Sequence, residues 1–484
     1  MQPDARPPSS WFCFLILPSF VGLNYVGCVI TDEKSAAAVS APADVRSAPT
    51  DFMGILRQLG PGLIISAVIV GSGELIVTPK LGARVGFIML WFIIFGCFIK
   101  VFVQIELGRF AVSRGMTTLE AMNSIPGPRF IVSWLIWLWV LMYFALIFQV
   151  AGMVGGLATV FDLAGVNLPV KLLAAGVGLI TAVLLVLGRY KLVEVASTAM
   201  VAIFTLCTLV AVGALQTTPY AITGANLAEG LKFKLPADFT DAFAAFGIIG
   251  VGASELIYYP YWCLEKGYAR SVGAADGSPA WRERALGWLH VMKIDAWVCF
   301  GIYTTATLAF YLLGAAVLHA KGLVVENNQM IATLSHMYRE TFGQWSFWFF
   351  LLGAFAVLYS TVFGATASNS RLFADALQLF SIVRYRDDAH RAFMVKIGCV
   401  LLPIAFTTVY LLVGEPVTLV FVGALAQALM LPFLACAALY FYYRRTEKSL
   451  LPGKAWAACL WFAAAAMTAV GVYKLIEEIG KRMK

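Results

Sequence analysis

Glu74 and Glu255 occupy matching positions in two copies of one pattern. Residues 71–79 read GSGELIVTP and residues 252–260 read GASELIYYP, both of the form Gly-x-x-Glu-Leu-Ile-x-x-Pro. Each copy lies within a long apolar run, where an ionisable side chain is costly and marks a functional site by default. Glycine and proline at these spacings interrupt a helix. Gly71 and Gly73 are poor mid-helix residues. Pro79 and Pro260 each remove one backbone donor and free a carbonyl four positions earlier. An interrupted helix at membrane depth offers a half-helix end, spare carbonyls and, here, a carboxylate. That set suits a cation. Two carboxylates brought to one site stay ionised together when a cation neutralises them. Without it, like charges in a poorly hydrated site favour a bound proton, a general route to proton–cation exchange. The candidate binding residues are therefore Gly71, Ser72, Gly73, Glu74, Gly252, Ala253, Ser254 and Glu255, with Glu74 and Glu255 the candidate metal ligands. A structural reading stands beside this one: a glutamate at the start of a half-helix also caps its free N–H groups, and Lys100 is a possible ion-pair partner for either.

The elements that must position these residues follow from composition. The chain is 61% hydrophobic and only 13% charged, about half the charge of a soluble domain, so it is an integral membrane protein. Eleven apolar runs are long enough to span a bilayer as helices: 60–83, 86–108, 130–160, 169–188, 191–215, 241–264, 292–318, 344–370, 393–413, 416–443 and 455–476. Arginine and lysine crowd the loops on one side, among them Arg109, Arg114, Arg282, Arg284, Arg384, Arg386, Arg444 and Arg445. By the positive-inside rule that side, and the N-terminus with it, is cytoplasmic. A bacterial inner membrane is the expected location. The net charge of +8 is then topological and calls for no nucleic acid. Nine cysteines without a Cys-x-x-Cys pair and four scattered histidines suggest neither a disulfide framework nor an imidazole metal centre. No resident cofactor is expected.

The two motif copies fall in the first and sixth spans. That separation inverts one copy relative to the other, as in secondary transporters built from five-plus-five inverted repeats whose sites form at interrupted helices. The expected organisation is a signal-like or disordered extension at 1–52, a first repeat at 53–216, a second at 217–445, and an eleventh span with the tail at 446–484. No Walker A sequence is present, which excludes ATP-driven pumping by this chain. No Ser/His or His-rich set lies at membrane depth, and an enzyme is not expected.

The first span also resembles a known family. Gly60-Pro61-Gly62 followed by eight residues and then Gly71-Ser72-Gly73-Glu74 is similar to the start of the Nramp (natural resistance-associated macrophage protein) divalent metal transporters. So are Leu90-Trp91, Gln104, Gly108-Arg109, Gly115, Leu119-Glu120, Ile248-Ile249-Gly250 and Ser360-Thr361-x-x-Gly364. The resemblance implies an all-α LeuT-type fold with interrupted first and sixth helices, and proton-coupled metal transport. It implies metal ligands at Gly71 and Glu74, where the family has Asp and Asn, and at Ser254-Glu255-Leu256, where it has Met-Pro-His. With the thioether absent, a harder ion such as Mg²⁺ or Mn²⁺ is expected. The chain is thus expected to be a divergent member.

Other polar residues at membrane depth are candidates for a proton or ion path: Lys100, Gln104, Tyr258, Ser360, Thr361 and Asn369. Tyr258, Tyr259 and Tyr261 have the composition of an interfacial anchor. Gln149 and Gln427 read as interhelical hydrogen-bonding residues or as path-lining ones, and Asp295 as a salt-bridge partner for the basic loops or a proton-relay group. The expected partners are the bilayer and a small cation. The alternatives are a transporter of a small organic solute such as an amino acid, and a non-transporting nutrient sensor. The oligomeric state is not legible in the sequence.

Overall fold

The computed structural model describes residues 45–188 and 190–482. Most of the expected extension at 1–52 lies outside the described residues. Its last residues do not trail away. Arg46 donates through its backbone N–H to Ser271 O at 3.1 Å and through Nε to Ser271 Oγ at 3.2 Å, and its carbonyl accepts from Trp288 Nε1.

Ten helices among the described residues are long and apolar enough to cross a membrane. In chain order the spans are α1 (Pro61–Val85), α2 (Leu90–Arg114), α3 (Trp134–Leu163), α4 (Val170–Leu187), α5 (Tyr190–Leu215), α6 (Thr240–Lys266), α7 (Pro279–Leu318), α8 (Ser346–Leu379), α9 (Asp388–Val413), α10 (Pro416–Arg445) and α11 (Lys454–Lys481). Here α5 is the remaining expected span; its described apolar part is Thr205–Leu215. Helices dominate because lipid offers no partner to backbone N–H and C=O groups. Among the described residues the only strands are the two-residue pair Arg129–Phe130 and Val132–Ser133, an antiparallel hairpin beside the start of α3.

Burial ranks the spans. The most apolar window of α1 is 94% buried and that of α6 is 100% buried, against 22% for α11 and 28% for α9. The two motif-bearing helices therefore form the centre, and α1 packs against α6, α7 and α8. They are interrupted in different ways. In α1 the α-helix Pro61–Ile69 passes into a π-helical stretch, Val70–Val77, and returns to α-helix at Thr78. The Thr78 N–H and hydroxyl both reach Gly73 O, so the wide turn stays hydrogen-bonded. In α6 the chain leaves the helix altogether. Thr240–Ile248 ends, Ile249 is extended, Gly250 has φ 57°, and a second helix starts at Ala253. A positive φ is open to glycine at little steric cost.

Helix α1 and the second half of α6 each begin at a glycine, Gly60 and Gly252, that has no side chain to cap the N-terminal N–H groups. A neighbouring helix supplies the cap in each case. Asp295 of α7 accepts from Gly60 N at 3.1 Å and Gly62 N at 2.7 Å, at the start of α1. Gln427 of α10 accepts from Ser254 N at 2.9 Å, at the start of the second half of α6.

The α1–α8 crossing has no clearance. A Cβ on Gly71 would stand 1.5 Å from Thr361 Oγ1 and 2.4 Å from Thr361 Cβ. Gly71→Ala should therefore lower the melting temperature and the monodisperse yield in detergent, with a cost at or above the roughly 1–3 kcal/mol of ordinary overpacking. Thr361→Ala in the same chain removes the nearer clash and should recover part of the loss. A Gly71→Ala protein that melts with the wild type would disprove the contact.

Candidate functional site

The carboxylate of Glu74 leaves the π-helical stretch of α1 and faces the gap in α6. Its Oε1 accepts from Gly250 N at 3.4 Å and lies 2.7 Å from Thr307 Oγ1 of α7. The Thr307 hydroxyl is also 2.7 Å from Tyr303 O, and its one proton serves one of the two. Glu255, in the first turn of the second half of α6, has Oε1 at 2.8 Å from Ser254 Oγ. That position suits an acidic group, since the start of a helix carries partial positive charge. Both side chains are buried, at 0% and 6% exposure. In each the second oxygen, Oε2, has no hydrogen-bond partner among the described residues. Buried polar atoms are nearly always paired, so two free carboxylate oxygens flanking one gap are the distinctive feature of the site.

The remaining expected residues surround this pair. Ser254 Oγ also lies 2.9 Å from Gln427 Oε1, and Gln427 Nε2 donates to Gln149 Oε1 of α3 at 2.9 Å. The two glutamines thus belong to the site rather than to a remote helix contact. Ser360 and Thr361 of α8 point their hydroxyls at α1. Ser360 Oγ donates to Ala67 O or Val357 O, and Thr361 Oγ1 is 3.0 Å from Val68 O. They satisfy carbonyls where the α-helix gives way to the π stretch. Tyr258 OH donates to Asn369 Oδ1 at 2.9 Å, which joins two of the expected path residues. Gly73 lies at the approach of α1 to α6, where a Cβ would stand 2.9 Å from Ile248 O, and Gly252 leaves room for the site's own side chains, since a Cβ there would stand 2.5 Å from both Glu255 Oε2 and Gln427 Oε1. Ala253 is buried at the start of the second half-helix. The side chain of Ser72 lies outside the described residues.

Lys100 pairs by hydrogen bond with neither glutamate. Its Nζ donates to Ile249 O at 2.8 Å and to Phe246 O, at the end of the first half of α6. Gln104, one turn further along α2, is fully buried, and among the described residues neither side-chain polar atom has a partner within hydrogen-bond geometry.

Two expectations need correction. Tyr258, Tyr259 and Tyr261 are at most 2% exposed; they are interior groups, because neighbouring spans enclose the second half of α6. Asp295 is a helix cap, with Tyr259 OH as its third donor at 3.0 Å. Its place beneath the Gly60-Pro61-Gly62 turn, absent from any local pattern, explains why. Thr307 escaped the sequence reading because a lone threonine in an apolar run carries no signal.

At the other end of α1, Arg84 bridges Asp238 and Asp241, each at 2.7 Å. Lys481 of α11 joins Asp238 at 3.2 Å and Glu477 at 2.9 Å. Asp238 lies in the loop before α6. The Thr240 hydroxyl, with Lys481 and Arg84, holds its carboxyl well below the usual carboxylate range. The charge on Asp238 therefore survives as the pH falls through that range. Nearby, a cavity of about 580 Å³ is lined by Lys80, Glu326, Asn327, Glu415 and Phe421.

An all-helical body with two interrupted central helices and a buried polar gap between them defines a secondary transporter of the LeuT fold. The family model described as "Natural resistance-associated macrophage protein-like" matches residues 62–477, and the chain belongs to the Nramp family. It is a transporter, not an enzyme. An uncharacterized protein of Pasteurella multocida (strain Pm70) is 26% identical over 340 residues, covering 66% of this chain and 70% of that protein. The manganese transporter of Eremococcus coleocola superposes with a TM-score of 0.65 at 15% identity, covering 91% of each chain. Mhp1, a nucleobase-cation-symport-1 family transporter, superposes with a TM-score of 0.54 at 13% identity, covering 90% of this chain and 96% of its own. These two structures share the fold.

The capping role of Asp295 is testable. Asp295→Ala leaves two backbone donors at the start of α1 without their acceptor, at about 1–3 kcal/mol for each buried group so orphaned, while the Tyr259 hydroxyl keeps Met292 O at 2.9 Å. The melting temperature should fall, and Asp295→Asn, which keeps one acceptor, should fall less. Equal melting of Asp295→Ala and wild type would remove the cap from the account.

Proposed function

We propose that this transporter carries a hard divalent cation, Mg²⁺ or Mn²⁺, by alternating access, with Glu74 Oε2 and Glu255 Oε2 as its charged ligands. One observation carries the reading: two buried carboxylates, one from each interrupted helix, each keep an oxygen that no other group among the described residues hydrogen-bonds. Among the described residues no group of three or more His, Cys, Asp or Glu gathers in one place. The remaining ligands would then be amide, carbonyl or water oxygens, a set that suits an ion retaining part of its hydration shell. The similarity to a manganese transporter agrees with this cargo. Proton coupling follows if the empty site takes up a proton in place of the cation. The basic loops support a cytoplasmic N-terminus, in a bacterial inner membrane.

A second reading has one observation in its favour. Lys100 stands within electrostatic reach of both glutamates and offsets one of their two charges, and a monovalent organic ammonium would match the remainder. A flux panel in proteoliposomes separates the two readings, with Mg²⁺, Mn²⁺, Ca²⁺ and amino acids run in parallel, with and without a pH gradient. The expected result is divalent cation flux, reduced by about tenfold or more in Glu74→Gln and in Glu255→Gln, since ligand charge sets affinity at oxygen sites. Amino acid flux with no cation flux would overturn the cargo assignment.

A further inference from the structure

The two interrupted helices satisfy their exposed carbonyls by different chemistry. In α1 the carbonyls of Ala67 and Val68 take neutral donors, the hydroxyls of Ser360 and Thr361. In α6 the carbonyls of Phe246 and Ile249 take the ammonium of Lys100, a charge brought from α2 to a fully buried position. The Phe246 ring lies beneath the same nitrogen, 4.6 Å from Nζ to the ring centroid. Hydroxyls suffice in α1, so carbonyl satisfaction alone does not account for a buried charge in α6. The surroundings of Nζ do. It sits on the negative end of a half-helix, against unwound backbone carbonyls and an aromatic face, with Glu74 and Glu255 the facing carboxylates. Carbonyls at such half-helix ends are where transporters of this architecture hold small cations, and an aromatic face attracts a cation further.

We propose that Lys100 is a resident cation. Its ammonium occupies the cation position at the carbonyl end of the first half of α6, so this position needs no monovalent metal ion. The glutamate pair is consequently presented to its cargo with a single net negative charge. The charge statement rests on the two-glutamate cargo reading above; the occupancy statement rests on the Lys100 contacts alone. Lys100 acts by position and charge and is not itself a ligand of the cargo.

The test uses the purified full-length protein, melted in NaCl, KCl and choline chloride at equal ionic strength. Wild type should melt at one temperature in all three. Lys100→Gln should melt lower than wild type in choline, because it leaves carbonyls unsatisfied and the glutamates without a counter-charge. Na⁺ or K⁺ should then raise its melting temperature saturably, by at least about 2 °C, as expected for an ion binding the folded state. Lys100→Arg keeps the charge and should remain indifferent to the salt. Identical melting of Lys100→Gln in the three salts would overturn the proposal, as would saturable stabilisation of the wild type by Na⁺ or K⁺. Should Lys100→Gln resist isolation in choline, its recovery in NaCl or KCl supports the proposal and failure in all three salts counts against it. No readout here uses Mg²⁺ or Mn²⁺. A protein that moved neither ion would lose the cargo assignment, while the melting curves would still decide the role of Lys100.

Discussion

A gap in a helix at membrane depth exposes carbonyls that no water or lipid can satisfy, and the hydrogen bonds from Lys100 to Phe246 O and Ile249 O answer that constraint. The rest of the centre is arranged around it. The gap lets Gly250 turn its N–H toward Glu74, and it lets a new helix start at Ala253 with Glu255 in its first turn. Each carboxylate then has one oxygen held and one free. Burying three charges together is tolerable only because each has partners or an opposite charge close by. Remove the ammonium and the gap becomes a concentration of negative potential with nothing to balance it.

The two halves of the molecule carry similar motifs and settle them differently. GSGELIVTP accommodates its glycines by widening the helix, and the Thr78 donors close the turn on Gly73 O. GASELIYYP keeps regular helix from Ala253 onward, Pro260 included, because the interruption falls just before it, at Ile249 and Gly250. The glutamates thus reach the same gap from opposite circumstances, one from within a wide turn and one from a fresh helix start. A repeated pattern fixes where two residues stand in a topology; it leaves open how the backbone bends to aim them.

The architecture was legible because lipid permits few solutions. Apolar runs of spanning length gave the helices, and the motif spacing with the Gly60-Pro61-Gly62 start gave the two central ones. The identity of the two glutamates as a pair was legible for the same reason. What escaped were the contacts made across sequence distance. Asp295 beneath Gly62, Gln427 above Ser254 and Thr307 beside Glu74 are single polar residues in runs that otherwise read as lipid-facing or packing. No spacing marks them, since each answers to a partner more than 170 positions away in one case and more than 230 in the other two. The buried tyrosines after Glu255 failed as interfacial anchors for a related reason: position along a span says nothing about whether neighbouring spans enclose it.

The bare backbone at Gly71 limits what this position can hold. In the packing seen here Thr361 occupies the space that any Cβ at residue 71 would need. An aspartate placed there meets a clash before it can contribute a ligand, so a carboxylate enters at residue 71 only together with a change in α8. The helix crossing thus confines the acidic groups of the gap to positions such as Glu74 and Glu255, whose side chains already have room.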